Sequence, residues 1–469
     1  MKVAIIGTGY VGLTTGVALA YLGHDVVGVD IDEEKVNLLN RGFSPIFEPH
    51  LSEILKLAKN NITFTDKYDG VIETVDAVFI AVGTPPLSDG RPNLDYFRNA
   101  VLEISKRINL ESPPIIINKS TVPVGTGFWV KNLISSAIKN NVHENIDVSI
   151  DVVSNPEFLR EGSALFDTFY PDRIVIGVET NKAAKAMYEL YKPIIMQNFE
   201  PPEQLPRPKG IHSVPYLQMD VVSAELTKYA ANAFLALKIS FINEMAEMAE
   251  YVGADITQVS KAMGIDKRIG GLFLKAGVGW GGSCFGKDTS ALIETARQYK
   301  KSMPIVEAAR SVNYKQRERI IEKLQQELKL IRGRTIGVLG LTFKPHTDDL
   351  RDSPAITVVK MLQRLGAFVK VHDPVALKKA REQLGSSVCY CDDLKSLASD
   401  SSALLLITEW PDYQNASWQD IYKLMANPLI IDGRNFLNCQ ELSEMGFKYI
   451  GMGRKVPCSN TNTTTEEGY

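Results

Sequence analysis

At 469 residues the chain is too long for one hydrophobic core, and two or three domains are expected. Hydrophobic residues make up 45% and charged residues 23%, the balance of a soluble globular protein, and a net charge of −3 argues against nucleic acid or an anionic membrane as main partner. No apolar run reaches membrane-spanning length, and the apolar N-terminus leads into a glycine motif, so it reads as folded domain and not as a signal peptide.

Lys2 to Ile6 reads as a short strand, followed at once by Gly7-Thr8-Gly9-Tyr10-Val11-Gly12, a helix from Leu13 to Leu22, and a second strand from Asp25 to Val29. Asp30 closes that strand, 18 positions after Gly12. In this strand–turn–helix–strand context the glycines predict a dinucleotide cradle, with the pyrophosphate on the helix N-terminus. The carboxylate of Asp30 suits the two ribose hydroxyls and repels a 2′-phosphate, so NAD is expected over NADP.

Further strands are expected at Ala77–Val82, Ile115–Asn118, Val148–Ser154 and Arg173–Gly177. The loops after the first three contain Gly83-Thr84-Pro85-Pro86, Lys119-Ser120-Thr121-Val122-Pro123 and Asn155-Pro156-Glu157-Phe158-Leu159-Arg160-Glu161-Gly162. Ligands bind beyond the carboxyl ends of parallel strands, which makes these loops candidate site walls. Residues 199–215 hold five prolines and read as an irregular loop, and about Ser223 to Tyr251 as a long helix. Lys228 and Asn232, four apart, share one face of that helix.

Cys284 stands in Gly279-Trp280-Gly281-Gly282-Ser283-Cys284-Phe285-Gly286-Lys287-Asp288. Four glycines strip side chains from around one thiol, as backbone close to a ligand requires, and Lys287 supplies a cation that favours the thiolate. A covalent role is the sharper reading, and a buried cysteine beside a glycine turn the bland one. The other cysteines are Cys389, Cys391, Cys439 and Cys458; an odd count confined to the second part of the chain is no disulfide framework and fits a reducing cytoplasm. Cys389 and Cys391 lack zinc spacing and read as strand residues, and no metal is expected.

A second βαβ unit is expected from a strand at Arg334–Leu339, the turn Gly340-Leu341-Thr342-Phe343-Lys344, a helix at Ser353–Leu365 and a strand at Phe368–Val371 before Asp373. Ala403–Thr408 and Leu429–Ile431 extend that sheet, and Asp432-Gly433-Arg434 ends the latter strand. This half lacks the full glycine fingerprint, so a different nucleotide is expected there. From about Lys455 the chain turns polar, and its end reads as disordered.

Taken in order, Gly7–Gly12, Lys119–Gly125, Asn155–Gly162, Lys228–Phe234, Phe273-Leu274-Lys275 and Gly281–Phe285 resemble the motifs of the UDP-glucose/GDP-mannose dehydrogenase family, over nearly everything from Lys2 to Gly453. The resemblance implies two Rossmann-like, doubly wound parallel-sheet domains joined by a long central helix. Its domains would be 1–205 for NAD, 206–312 for the central helical region carrying Cys284, 313–454 for the UDP-sugar, and a tail at 455–469. NAD would bind the first domain, the UDP-sugar would lie between the two, and the helix would form a homodimer or part of a higher oligomer.

The implied reaction is a four-electron oxidation of a sugar C6 alcohol to a carboxylate, using two NAD in succession, with UDP-glucose favoured as substrate. By motif match Cys284 adds to the aldehyde, Lys228 and Asn232 serve the reacting oxygen, Asp288 and Thr121 position water, and Glu157 is the acid/base of thioester hydrolysis. Gly7, Gly9, Tyr10, Val11, Gly12, Asp30, Lys35, Thr84, Ser120, Thr121, Glu161, Lys287 and Arg351 match NAD contacts. Glu157 to Glu161 (Phe158, Leu159, Arg160 among them), Lys228, Asn232, Lys275, Gly279, Gly281, Phe343, Lys344 and Arg434 match substrate contacts, and Arg268 an arginine lent across the dimer. The 199–215 stretch is longer than usual, Trp280 replaces a common phenylalanine, and Gly286 a common proline.

A two-electron hydroxyacid-type dehydrogenase would share the fingerprint, the lysine and the asparagine, but has no use for Cys284. A non-catalytic nucleotide-sugar sensor would be expected to lack some reacting groups, and all are present. A sister enzyme acting on UDP-N-acetylmannosamine or GDP-mannose remains the alternative.

Overall fold

The computed structural model describes residues 1–87, 89–142 and 149–454, and the chain divides into two compact units. The first comprises Met1–Ala231 with Ser290–Ser302; the second comprises Asn232–Thr289 and the chain from Met303. The expected disordered tail and the first residue of the strand expected from Val148 lie outside the described residues.

The first unit is built on an eight-stranded sheet. Its strands are β1 (Lys2–Ile6), β2 (Asp25–Val29), β3 (Ile62–Thr65), β4 (Ala77–Ile80), β5 (Ile115–Asn118), β6 (Val152–Ser154), β7 (Ile174–Gly177) and β8 (Tyr216–Met219). Their order is β3-β2-β1-β4-β5-β6-β7-β8, so β1 is flanked by β2 and β4, with Ile6 in register with Val29 and Ile80. The side chains alternate between two cores. Val3, Ile5, Ala77 and Phe79 face one, and Ala4, Ile6, Val78 and Ile80 the other. Burial on both faces explains why these strands read as continuous apolar runs. The sheet departs from the parallel pattern once, where β7 runs antiparallel to β6 through Ser154 and Gly177.

The second unit holds β9 (Thr335–Leu339), β10 (Phe368–His372), β11 (Cys389–Tyr390), β12 (Ala403–Leu406), β13 (Leu429–Asp432) and β14 (Lys448–Gly451). All pairs are parallel, in the order β11-β10-β9-β12-β13-β14. This repeats the order of the first six strands of the first unit, the doubly wound arrangement whose order reverses beside its first strand. A helix of 32 residues, Val221–Val252, carries the chain from one unit into the next. Cys284, Cys389 and Cys391 are held in no disulfide, and Cys458 lies outside the described residues.

Candidate active site

Beyond β1 the chain enters the turn at Gly7 and the helix Tyr10–Tyr21, whose N-cap Gly9 offers no side-chain cap. A Cβ on Gly12 would stand 1.9 Å from the Gly7 carbonyl oxygen, so only glycine lets the helix pack this closely on the turn. A Cβ on Gly9 would meet nothing within 4 Å, which leaves open space at uncapped N–H groups where a pyrophosphate fits. Asp30, 9% exposed, accepts from the Thr8 N–H at 2.8 Å, the Thr8 hydroxyl at 2.7 Å and Lys35 Nζ at 3.1 Å, all on Oδ2. Burial opposes its ionisation, but these bonds outweigh burial and hold its carboxyl below the ordinary value. Its Oδ1 accepts only a 3.2 Å bond from the Asp32 N–H and so keeps capacity for ribose hydroxyls. The donor set fits NAD.

The loops beyond β4, β5 and β6 lie along one edge. The Thr84 hydroxyl donates to the Thr121 carbonyl at 2.9 Å, and the Ser120 hydroxyl to the Val82 carbonyl at 2.7 Å. After β6, Glu157 pairs with Lys228 at 2.8 Å, both side chains less than a tenth exposed. Glu157 Oε2 also accepts the Leu159 N–H at 2.9 Å. Phe158 has the Arg173 guanidinium 3.8 Å from its ring centroid and Lys228 Nζ at 5.5 Å. The lysine expected to face a ligand is thus drawn inward by a carboxylate.

Within the second unit Asn232 donates to Asp288 at 2.6 Å, and Lys287 donates to the other Asp288 oxygen at 2.5 Å. The half-buried Cys284 directly precedes the helix Phe285–Gln298, and its carbonyl accepts the Asp288 N–H at 2.8 Å. The Lys287 charge is engaged by Asp288. The positive dipole end of the helix lies beside Cys284.

The glycines around Cys284 also answer to the protein. A Cβ on Gly281 would lie 2.3 Å from the Asp352 carbonyl, and one on Gly282 2.7 Å from the Phe343 ring. The loop is pinned by Asn313, wholly buried, which accepts the Trp280 N–H at 2.7 Å and donates to the Trp280 carbonyl at 3.0 Å. Arg317 adds a bond to that carbonyl at 3.2 Å, and Arg434 one to the Gly279 carbonyl at 2.9 Å. Arg434 also donates to the Ile407 carbonyl and pairs with Glu409 at 3.2 Å, so much of its guanidinium is committed to protein.

Other expected residues stand at the surface. Arg160 pairs with Asp167, Arg268 with Asp266, and Arg351 with Asp349, their side chains 57%, 88% and 59% exposed. Lys275 is exposed, while Glu161 and Lys344 are half-buried, with Lys344 Nζ 5.7 Å from the Phe343 centroid.

Four supporting residues carry no motif that singles them out. Besides Asn313, Glu225 accepts the Gly125 N–H at 2.6 Å and the Gly127 N–H at 2.8 Å, and Glu48 accepts those of Gly162 and Ala164 at 2.7 and 2.6 Å. Each glutamate clasps one loop that bears expected reacting groups. Lys119, inside a quoted motif but given no role, donates to Asn155 at 3.0 Å.

Three family models match the chain, all of the UDP-glucose/GDP-mannose dehydrogenase family: its NAD binding domain over residues 1–195, its central domain over 222–315 and its UDP binding domain over 337–439. The chain is 43% identical to UDP-glucose 6-dehydrogenase TuaD of Bacillus subtilis over 97% of its own length and 93% of that protein. It is 42% identical to UDP-glucose 6-dehydrogenase of Rhizobium meliloti, covering 97% of this chain and all of that one. Among solved structures it resembles a UDP-glucose dehydrogenase from the archaeon Pyrobaculum islandicum, with a TM-score of 0.85, 38% identity, and coverage of 97% and 98% of the two chains.

Proposed function

This chain belongs to the UDP-glucose/GDP-mannose dehydrogenase family, and from that premise we propose that it oxidises UDP-glucose to UDP-glucuronate with two NAD, through a sugar bound covalently to Cys284. It is an NAD-dependent oxidoreductase. The observation that carries the covalent reading is a half-buried thiol, held in no disulfide, at the start of the helix Phe285–Gln298, in a loop held by Asn313 and Arg317.

In this reading the uncapped Gly9 turn and Asp30 hold the cofactor, which when bound supplies hydride acceptance. Lys228, fixed by Glu157, takes the C6 hydroxyl proton or stabilises the developing oxyanion, with Asn232 oriented by Asp288 beside that oxygen. The Cys284 thiolate bonds to the aldehyde carbon, whose oxygen gains a proton, giving a thiohemiacetal. Loss of the second hydride leaves a thioester. Water positioned by Asp288 and Thr121, with Glu157 as acid/base, breaks the C–S bond and frees carboxylate and thiolate. Glu161, Lys287 and Arg351 are proposed for NAD. Phe158, Leu159, Arg160, Lys275, Phe343, Lys344 and Arg434 are proposed for the sugar nucleotide.

A cytoplasmic homodimer completes the proposal. Phe234, Phe241 and Met248, seven residues apart in turn and 61%, 42% and 56% exposed, form an apolar stripe along the long helix that a second copy would cover. Arg268 would then reach the partner's substrate. The test is NADH formation from a panel of nucleotide sugars. UDP-glucose should yield two NADH per sugar and the highest kcat/KM; a better UDP-N-acetylmannosamine or GDP-mannose would reassign the substrate.

A further inference from the structure

Lys119 directly follows β5, one residue before Ser120. Its ammonium donates to Asn155 Oδ1 at 3.0 Å, lies 3.4 Å from the Tyr191 hydroxyl, and sits 5.8 Å from the centroid of that ring. The same Asn155 oxygen accepts from the Tyr191 hydroxyl at 2.6 Å, and the Asn155 amide donates to the Val175 carbonyl at 3.0 Å. This amide has no freedom to flip, because both ends are committed. Two residues on, Glu157 holds Lys228 at 2.8 Å. Two lysines, one from a strand end and one from the long helix, therefore converge on the short turn Asn155-Pro156-Glu157. That turn carries one carboxylate. A lysine with no task would extend its ammonium into water.

We propose that Lys119 is a positioning residue of the reaction: it fixes the Asn155–Glu157 turn and, as the second cation beside Glu157, keeps Lys228 able to give up its proton. The inference rests on the reading that Lys228 serves the reacting oxygen. The charges facing Lys119 are those of Glu157 and Lys228, and burial is the largest influence on it. Burial brings Lys119 down to about 8, Glu157 pulling it up and Lys228 pushing it down. Burial lifts the Tyr191 hydroxyl well above its ordinary value, so it remains a neutral donor. Lys119 bonds the turn and not the carboxylate, so it acts on Lys228 through its charge across the turn. A neighbouring cation is one established way to make a lysine reactive near neutral pH.

The experiment uses the full chain and the variants Lys119→Met and Lys119→Arg, with kcat and KM followed over about pH 6 to 10. Removing the second cation with Lys119→Met should move the kcat inflection upward by roughly one pH unit and lower kcat at pH 7 about tenfold, with KM for NAD unchanged. Lys119→Arg keeps the charge and should return the inflection to the wild-type value or below. Lysine-selective NMR titration without substrates gives a readout independent of turnover, and in Lys119→Met the Lys228 signal should titrate higher than in wild type. If both variants lose the same kcat with an unmoved inflection, and Lys228 titrates unchanged, Lys119 is only a packing residue. If wild type oxidises no nucleotide sugar, the proposed function fails, while the NMR titration still decides the coupling.

Discussion

The two units share a strand order and differ in what their first turn leaves open. In both, an aspartate after the second strand accepts hydrogen bonds from the turn after the first. Asp30 takes two bonds from Thr8 and keeps Oδ1 nearly free. Asp373 accepts the Leu341 and Thr342 N–H groups on Oδ2, at 2.7 and 3.2 Å, and the Val375 and Ala376 N–H groups on Oδ1, at 3.0 and 2.9 Å. The turns differ likewise. Gly9 faces open space, whereas Thr342, at the corresponding place in the second turn, is wholly buried and its hydroxyl accepts the Trp410 indole N–H at 3.1 Å. The second unit has filled its cradle with its own side chains. A shared topology therefore does not imply a shared ligand; the polar groups a unit leaves unsatisfied say what it binds.

The largest test separates cofactor from covalent chemistry. Cys284→Ser offers a poor nucleophile at neutral pH, so steady-state NADH formation should fall roughly 1,000-fold or more, about 4 kcal/mol. NAD affinity, which the comparison assigns to the first unit, should not change. Wild-type turnover with two NADH per sugar in this variant would rule out the covalent route. Next in size is the buried pair. Lys228→Met leaves Glu157 a buried carboxylate without this partner and should cost about 3–5 kcal/mol of stability in denaturant unfolding, beyond its loss of activity. The double variant Lys228→Met with Glu157→Gln should recover part of that stability but no activity.

The contrast between the two aspartates can be sharpened directly. Asp30→Asn removes the charge that opposes a 2′-phosphate and should narrow the NAD over NADP preference in kcat/KM by about tenfold or more. Asp373→Asn forces an amide donor against backbone N–H groups and should cost about 1–3 kcal/mol of stability, leaving KM for NAD unchanged. Loss of NAD affinity in Asp373→Asn would mean that the second cradle binds dinucleotide after all.

What could be read from the sequence follows from how local each signal is. The first turn, Asp30 and the two-sided strands are written in short windows, because a tight turn demands glycine and a strand buried on both faces is apolar throughout. The strands β3, β8 and β14 escaped because they are four residues long with polar or exposed positions, and β8 directly follows a proline-rich stretch. The antiparallel step at β7 is set by where the chain returns, which no window contains. Asn313 is 33 positions from Trp280, and Glu225 is 100 from Gly125. Such clasps exist only once the chain has folded. The glycines beside Cys284 suggested approach to a ligand, while Gly281 and Gly282 meet Asp352 and Phe343.

The smallest expected effect concerns Glu225, whose two backbone bonds tie the loop bearing Thr121 to the long helix bearing Lys228. Burial is the dominant influence and the two glycine N–H groups oppose it, leaving the carboxyl raised to about 7 from 4.5. The folded state then binds the proton more tightly than the unfolded state between those values. The stabilising contribution is complete below about pH 4.5 and disappears as the pH rises through about 7, a change on the order of 3 kcal/mol at 1.36 kcal/mol per pH unit. Glu225→Gln cannot titrate, so the stability of wild type minus that of the variant should fall across this window and level off above it. The measurement is urea unfolding of both proteins at several pH values. A flat difference would mean that the two N–H bonds fully balance burial and leave the carboxyl at its ordinary value, and a difference that rises with pH would mean that they outweigh it.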